Sequence, residues 1–247
     1  MSLPVFIHPD LSAAQAGDAI TLSGPEARHA VTVKRMQQGE KLALIDGTGI
    51  RLTLTVTETS GKDHLTGTVE SVTQLPEPNP RVTVVQAIPK SERAELAVDL
   101  ATQAGADEII AWQADRCVAK WDGKKAPKAI TKWQAAAEAA AKQSRRDRIP
   151  QVRGPLTTRQ LVAELAERAE SASVLVLHEE ATESIREVGL HGEVFLLVGP
   201  EGGIGEEELT TLREAGAVPI KLGPEVLRTA SAAMVALAAI GMRTERW

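Results

Sequence analysis

Two glycine-rich segments hold the residues most able to build a ligand site, and the first is residues 197–209 (LVGPEGGIGEEEL). An apolar run ends at Val198, and glycines follow at positions 199, 202, 203 and 205. Glycine allows positive φ and lets the backbone approach a ligand closely. Open α/β sheets bind ligands at the carboxyl ends of their strands. The segment therefore predicts a ligand-binding turn, and a tight structural turn is the alternative interpretation.

The same segment restricts the chemistry of the ligand. No Gly-Lys-Ser/Thr follows the glycines, so the turn is not a P-loop, and the G-x-G-x-x-G spacing of dinucleotide sites fails at Glu208. Four carboxylates in this segment would repel a pyrophosphate. These are Glu201, Glu206, Glu207 and Glu208. A neutral or cationic nucleoside-like cofactor therefore fits the segment better than a dinucleotide.

The second segment is residues 222–234 (LGPEVLRTASAAM), in which a strand ends at Leu222 and a Gly-Pro turn follows. A helix of small residues is predicted from Thr229, and its alanines would allow close packing on a sheet or on a second subunit. Because the two glycine turns are expected to follow adjacent strands, they predict one crevice. Arg228 would lie at its mouth, with a surface salt bridge as the alternative for this side chain.

Other kinds of catalytic site find little support in the sequence. No G-x-S-x-G elbow is present, which argues against an α/β-hydrolase. The five histidines lack the spacing of metal ligands, and a single cysteine, Cys117, excludes an internal disulfide and a cysteine metal cluster. We therefore expect no metal. His178 ends a predicted strand and is a candidate to face the crevice, although a buried structural histidine is the simpler interpretation.

The charge of the chain is unevenly distributed. The net charge is −5, but residues 116–148 carry ten Lys and Arg against three Asp and Glu, which is +7, so the remainder carries −12. A basic patch on an acidic protein indicates a polyanion partner. A solvated helix face with a loop is the alternative. Aromatic residues are only 2% of the chain, which argues against a platform of stacked rings for single-stranded RNA.

The elements that must position these residues fall into two groups, divided by a proline-rich connector at residues 75–80 (LPEPNP). Before the connector the pattern is β-rich, with alternation of apolar and polar residues and hairpin turns at Asp46-Gly47 and Gly61. In the second strand, Leu52, Leu54 and Val56 share a face. The predicted elements are strands at 40–46, 50–59 and 64–73 and a short helix near 25–36. They indicate a small barrel or sandwich.

After the connector, near-continuous apolar strands alternate with helices. The predicted strands are 82–88, 108–112, 174–178, 194–198 and 218–222, and the predicted helices are 91–104, 126–145, 157–170, 205–215 and 229–241. This alternation indicates an α/β fold with a parallel sheet covered on both faces.

The expected location is the cytoplasm. The chain begins MSLPVFIHPD, without the basic start and apolar run of a signal peptide, and no stretch approaches ~18 consecutive apolar residues. We therefore expect no membrane association.

In this order, the two glycine segments resemble motifs of the bacterial 16S rRNA (uracil-N3)-methyltransferases, the RsmE family of the SPOUT superfamily. The family pattern is approximately VGPEGG-x-x-x-x-E, followed by LG-x-R-I-L-R-T-E-T-A. Three further segments, residues 29–49, 104–118 and 140–150, are similar to other landmarks of that family. The resemblance therefore covers nearly the whole chain.

The sequence departs from the family pattern at several positions. The arginine before Ile-Leu-Arg is Glu225 here, and the glutamate and threonine after Arg-Thr are Ala230 and Ser231. In the segment AAKQSRRDRIP, a glutamate is replaced by Lys142 and a glycine by Arg145. These replacements concern expected RNA contacts rather than the cofactor turns.

The resemblance implies a PUA-like RNA-binding barrel over residues 1–75 and a SPOUT methyltransferase domain with a deep trefoil knot over 76–247. It also implies S-adenosylmethionine as cofactor, a homodimer, and methylation of N3 of a uridine in the 16S rRNA of the 30S subunit. Arg228 would orient or stabilise the uracil, and Glu201 is the carboxylate considered as base. The expected cofactor contacts are Leu177, Gly199, Gly202, Leu222, Gly223 and Leu227. The expected RNA contacts are Arg116, Lys142, Arg145 and Arg146.

Two alternatives remain at this stage. One is a non-catalytic RNA-binding or ribosome assembly factor on the same scaffold, which would bind no cofactor. The other is a related methyltransferase that acts on another RNA or at a ribose 2′-OH.

Overall fold

The computed structural model describes residues 3–90, 93–168 and 170–247. The chain divides into two compact units, Met1–Glu77 with Ala141–Ile149, and Pro78–Ala140 with Pro150–Trp247. The boundary between Glu77 and Pro78 lies within the proline-rich connector. The segment 141–149 belongs with the first unit although it is distant in sequence, an arrangement that no local pattern predicts.

One five-stranded sheet organises the first unit, with the order β1-β3-β4-β5-β2. Its strands are β1 (Val5–Ile7), β2 (Ala19–Ser23), β3 (Lys41–Ile45), β4 (Ile50–Ser60) and β5 (His64–Gln74). β1 pairs with β3 in parallel, and the other ladders are antiparallel. The predicted β-rich first domain is thus confirmed, and β1 and β2 are two strands that the sequence analysis missed.

β4 shows the alternation of buried apolar and exposed polar residues that the sequence predicted. Leu52, Leu54 and Val56 are buried, whereas Thr53 and Thr55 between them are partly exposed. The turn before β4 is closed by Asp46, whose Oδ1 accepts the N–H groups of Thr48, Gly49 and Ile50. The predicted hairpins at Asp46-Gly47 and Gly61 are present, and both glycines have positive φ.

A short helix follows β2, close to the predicted range 25–36. It begins as α1 (Gly24–Arg28) and continues as a π-helical turn over His29–Val33. A proline in the first turn supports this start, because its missing N–H would have no partner within the helix.

The second unit contains a seven-stranded sheet whose ladders are all parallel, with the order β10-β12-β9-β11-β6-β7-β8. The strands are β6 (Val82–Ala87), β7 (Glu108–Gln113), β8 (Gln151–Thr157), β9 (Ala172–Leu177), β10 (Glu183–Ser184), β11 (Glu193–Val198) and β12 (Val218–Lys221). Every residue of β6 is buried. Because successive side chains point to opposite faces, both faces of the sheet are covered there. The predicted α/β fold with a parallel sheet is confirmed.

The helices of this unit lie near their predicted positions. They are α2 (Ala94–Gln103), α3 (Lys125–Ser144), α4 (Thr158–Ala166), α5 (Glu206–Glu214) and α6 (Thr229–Arg243). Residues 91 and 92 of the first predicted helix, and residue 169 of the third, lie outside the described residues. No helix in the described ranges is long and apolar enough to cross a lipid bilayer.

The sequence analysis missed the two edge strands, β8 and β10. β8 contains Gly154-Pro155. Proline is tolerated on an edge strand because its missing N–H can face the side that has no neighbouring strand, so no ladder hydrogen bond is lost. Gly154 has φ +105, and a Cβ on it would lie 2.6 Å from the carbonyl oxygen of Ala111, so glycine is needed for this strand to pair with β7. β10 is only two residues long, too short for any periodicity.

Candidate active site

The carboxyl ends of three parallel strands open onto one cleft of about 680 Å³. β9 ends at Leu177, β11 at Val198 and β12 at Lys221. The two glycine turns follow β11 and β12, and both line the cleft as predicted. The expectation that these two strands are adjacent is wrong, because β9 lies between them in the sheet. The cleft is therefore three strands wide, with the end of β9 between the two turns.

The first turn, residues 199–205, is a compact backbone loop. The N–H of Gly203 donates to the carbonyl oxygen of Pro200 at 2.9 Å, and Gly203 has φ +70. A Cβ on Gly199 would lie 2.9 Å from Cγ1 of Ile204, so the start of the turn also needs glycine. Its N–H and C=O groups are thus held in place beside the cleft.

Two side chains fasten this turn to neighbouring segments. Nη1 of Arg116 donates to the carbonyl oxygen of Gly202 at 3.2 Å. Oε1 of Glu201 accepts the backbone N–H of Lys90 at 3.0 Å, which connects the turn to the segment after β6. Arg116 and Glu201 therefore each have a structural role at the cleft.

The second turn, residues 222–228, is open by comparison. Among the described residues, its chain neighbours aside, the only heavy atom within 4 Å of a Cβ on Gly223 is Oε2 of Glu225, at 3.5 Å. Arg228 is the N-cap residue of α6, and its carbonyl oxygen accepts the N–H groups of Ser231 and Ala232. Its side chain is exposed and forms no ion pair with any described residue, so the surface salt bridge given as the alternative for this side chain is absent there.

The cleft brings together most of the predicted site residues. All six expected cofactor contacts line it: Leu177, Gly199, Gly202, Leu222, Gly223 and Leu227. Arg228, Glu201 and Arg116 line it as well. The individual roles of these residues stay predictions. Arg116 was expected to contact RNA, and its position against Gly202 adds a contact that the sequence analysis did not foresee.

The other three expected RNA contacts lie in or beside the last turn of α3. Nζ of Lys142 forms an ion pair with Oε1 of Glu26 at 2.6 Å, and both side chains are about three-quarters buried. Arg145 is exposed and has φ +61. Its N–H donates to the carbonyl oxygen of Lys142, and the N–H of Arg146 donates to that of Ala141. This pair of bonds is a Schellman motif, in which a residue with positive φ ends the helix and glycine is favoured.

Sequence reasoning missed one residue beside the cleft, Glu208. Its side chain is 4% exposed, and Oε1 accepts the N–H of Asp115 at 3.1 Å and the hydroxyl of Thr158. Oε2 is buried without a partner among the described residues. The N–H of Asp115 is next to Arg116, so Glu208 fixes the loop from which Arg116 reaches the first turn. The available signal was the family pattern itself, since the glutamate of VGPEGG-x-x-x-x-E falls on Glu208.

Replacing Glu208 by alanine is expected to destabilise the protein by about 2–3 kcal/mol, because it leaves buried donors on Asp115 and Thr158 unpaired and creates a cavity. Glu208→Gln keeps an acceptor in place and should cost less than about 1 kcal/mol. Thermal unfolding of both variants measures this, and equal losses would contradict the role of the acceptor.

Comparing the wild-type protein with Glu208→Gln across pH tests the ionisation of Glu208. Burial raises the pKa of Glu208 above its ordinary value of 4.5, although the bonds from Thr158 and Asp115 oppose the shift. The protonated form is thus favoured by folding, so the stability that Glu208 contributes declines as pH rises above 4.5 through the folded-state pKa. Glu208→Gln removes this decline. Parallel unfolding curves for the two proteins across this pH range would contradict the raised pKa.

The cleft is lined by charges of both signs. Its carboxylates are Glu179, Glu180, Glu201, Glu206 and Glu225, and its cations are Arg93, Arg116, Lys221 and Arg228. Within the described residues, no three His, Cys, Asp or Glu side chains are grouped so that they could hold a metal ion.

A parallel sheet with a cleft of backbone turns at the carboxyl ends of its strands defines an α/β domain that binds a nucleotide-like cofactor. A family model described as an RNA methyltransferase domain matches residues 76–241, and one described as an RNA methyltransferase PUA domain matches residues 22–70. The Ribosomal RNA small subunit methyltransferase E of Mycobacterium bovis is 52% identical over 234 residues, which are 94% of this chain and 89% of that protein. The protein of the same name from Bacillus subtilis is 30% identical over 97% of this chain and 96% of its own. The chain therefore belongs to the ribosomal RNA small subunit methyltransferase E family, and the predicted RsmE-type rRNA methyltransferase is confirmed.

Solved structures agree in fold. A methyltransferase from Legionella pneumophila, in complex with the bound cofactor SAM, is 29% identical with a TM-score of 0.86, and 98% of each chain is covered. A Ribosomal RNA small subunit methyltransferase E from Neisseria gonorrhoeae, at 23% identity and a TM-score of 0.87, shows the same fold over 98% of each chain.

Proposed function

We propose that this protein transfers the methyl group of S-adenosylmethionine to N3 of one uridine in the 16S rRNA of the small ribosomal subunit. The observation that carries the proposal is the convergence of the six expected cofactor residues with Arg228 and Glu201 on one cleft. The names of its relatives specify small-subunit rRNA, and a relative at 29% identity binds SAM. N3 as the target rests on the family resemblance. The cytoplasmic location stays a prediction.

The cleft has the chemistry to hold this cofactor. At Gly223 the backbone faces space that a side chain would occupy, and the first turn holds peptide groups beside the cleft. Leu177, Leu222 and Leu227 supply apolar surface for a nucleoside. The five glutamates of the cleft offset its four cations, so the lining carries no excess positive charge that would repel a sulfonium. When bound, S-adenosylmethionine supplies an electrophilic methyl group on a sulfonium.

Arg228 and Glu201 have different parts in the proposed reaction. The guanidinium of Arg228, at the start of α6, forms no ion pair with a described residue, so it can donate to a uracil oxygen and stabilise the anion left when the N3 proton is lost. Glu201 is the carboxylate considered as base, and its bond from the N–H of Lys90 holds that side chain in position. The target base must leave its stack to enter the cleft.

The test of the proposal is methylation of 30S subunits from a strain that lacks the gene. Purified protein and tritiated S-adenosylmethionine should label 16S rRNA, and nucleoside mapping should find the label in 3-methyluridine at one position. Absence of both S-adenosylmethionine binding and label in 16S rRNA would favour the non-catalytic assembly factor. Label in another nucleoside would overturn the N3 assignment.

We also propose the domain roles and the knot that the resemblance implies, with residues 1–75 as the PUA-like RNA-binding domain and 76–247 as the SPOUT domain. The path of the C-terminal segment supports a knot. After the strand β12, the chain returns so that α6 packs against β6, β11 and α2. Arg243 at the end of α6 donates to the carbonyl oxygens of Ile185 and Val188, in the segment between β9 and β11.

The proposed enzyme is a homodimer. α6 leaves Met234, Val235 and Met242 exposed, the last to 76%, and a stable partner surface would cover apolar side chains of this kind. We expect a mass of roughly twice 26.3 kDa and an interface above about 1,000 Å². A monomer mass by light scattering at micromolar concentration would contradict this prediction.

The Schellman motif provides a test of the predicted RNA contacts. Arg145→Glu with Arg146→Glu should lower the slope of log K against log salt for rRNA binding by roughly one to two units if both side chains contact phosphates. Arg145→Gly is the matched variant: it removes one cation but relieves the positive φ, so it should raise the melting temperature while lowering the slope by about one unit. A lower melting temperature of the double variant with an unchanged slope would show that these arginines only support the helix end.

A further inference from the structure

An exposed row of lysines marks the start of α3. Lys124 precedes the helix, and Lys125, Lys128 and Lys132 follow within its first turns, all exposed. Residues three and four apart in a helix lie on the same face, so Lys125, Lys128 and Lys132 form one row, which with Lys124 we call the lysine row. At a rise of 1.5 Å per residue it spans roughly 10 Å.

Carboxylates do not neutralise the lysine row. Its single ion pair, Lys125 with Asp122, has a separation of 3.9 Å with both side chains more than three-quarters exposed, a geometry that contributes little. Within the described residues, the other three lysines have no ion pair. Other cations of this unit differ, because Arg81, Arg153 and Arg246 each contact a carboxylate.

The position of these lysines is unfavourable for the helix. The N-terminus of a helix carries a partial positive charge, so cations there are destabilising and acids stabilising. The first turn of α3 has no acidic residue, whereas that of α5 has three glutamates. A helix start selected for stability would have acids rather than Lys124 and Lys125, so stability alone does not explain these two lysines.

The remaining cations of the basic segment 116–148 include several with partners inside the protein. Lys142 pairs with Glu26. Arg148 contacts Glu77 at 3.0 Å and the carbonyl oxygens of Leu75 and Pro76. The lysine row therefore differs from Lys142 and Arg148, because its lysines are exposed and no buried carboxylate among the described residues neutralises them.

We propose that the lysine row binds the phosphate backbone of the substrate RNA, an inference that rests on the proposed function. A flexible ammonium group binds a phosphate as a point charge, without reading sequence. The cost of cations at the helix start is removed when phosphates lie over them.

The test compares two triple variants with the same change of charge. The first is Lys125→Gln, Lys128→Gln and Lys132→Gln. The control is Arg159→Gln, Arg186→Gln and Arg213→Gln, three exposed arginines on other elements. Filter binding to in vitro transcribed 16S rRNA at several salt concentrations gives the affinity and its salt slope, and calorimetry gives the affinity for S-adenosylmethionine.

The lysine variant should bind rRNA at least about 10-fold more weakly at 0.1 M salt, with a slope lower by about two units. Its affinity for S-adenosylmethionine should not change, and its melting temperature at low salt should rise by about 1–3 °C. The control should retain the rRNA affinity within about twofold.

An unchanged slope in the lysine variant, or an equal loss in the control, overturns the inference. So does weaker binding to 30S subunits with unchanged binding to naked rRNA, because the row would then contact a ribosomal protein. Failure of the proposed function is distinguishable, since the wild-type protein would then bind rRNA but leave 30S subunits unmethylated.

Discussion

Replacing Gly223 by valine is expected to weaken binding of S-adenosylmethionine about 10- to 100-fold while the protein remains folded. Of the atoms in the described part of the chain, only Oε2 of Glu225 lies within 4 Å of a Cβ at this position, at 3.5 Å, and Gly223 does not have positive φ. The backbone therefore accepts a side chain without strain. The two methyl groups of valine would occupy the cleft where the backbone faces the ligand, and overpacking of this kind costs about 1–3 kcal/mol.

Gly189→Val is the matched control. Gly189 also lacks positive φ and has nothing within 4 Å of a Cβ, and it does not line the cleft. Calorimetric titration should show normal cofactor affinity for this variant, with both melting temperatures within a few degrees of wild type. Unchanged affinity in a folded Gly223→Val protein would remove the second turn from the cofactor site.

The central strands of the second sheet were predictable because their burial is visible as apolar runs. β6, β9 and β11 lie inside the sheet, with almost every residue buried, and such strands read as continuous apolar segments. β8 and β10 lie at the edges, where polar residues, glycine and proline are tolerated, and this is why they gave no signal. Strand order is not a local property, so the position of β9 between the two turns was not predictable from the glycines.

Site residues likewise divide into those that residue type alone identified and those whose partners lie far away in the sequence. The glycine turns were recognisable because glycine lets the backbone approach a ligand closely. Arg228 was recognisable as a charged residue that directly follows the second turn. Glu208 was one acid among three at a helix start, and nothing local shows that it is the buried one that accepts the N–H of Asp115. Likewise, the ion pair of Lys142 with Glu26 joins residues far apart in the chain, so sequence reasoning counted Lys142 as a free cation.

Replacing Arg228 is expected to slow methyl transfer about 10²- to 10³-fold with little change in cofactor affinity or stability. Loss of one donor that stabilises a developing anion typically has this effect on kcat. The side chain is exposed and forms no ion pair with any described residue, and the carbonyl of Arg228, rather than its side chain, caps α6. Arg228→Ala should therefore fold normally. Arg228→Lys keeps the charge but loses the planar pair of donors, so its rate should lie between those of Arg228→Ala and wild type.

The dependence of the rate on pH separates this role from simple binding of RNA. If Arg228 stabilises the N3 anion, its removal makes proton loss harder, so the rise of kcat with pH should move to higher pH in Arg228→Ala. Arg186→Ala removes an exposed arginine outside the cleft and should leave both kcat and the profile unchanged. Steady-state assays with saturating 30S subunits and S-adenosylmethionine measure kcat. A reduced rate with an unshifted profile would make Arg228 a residue that positions the uracil, and a wild-type rate would exclude it from the reaction.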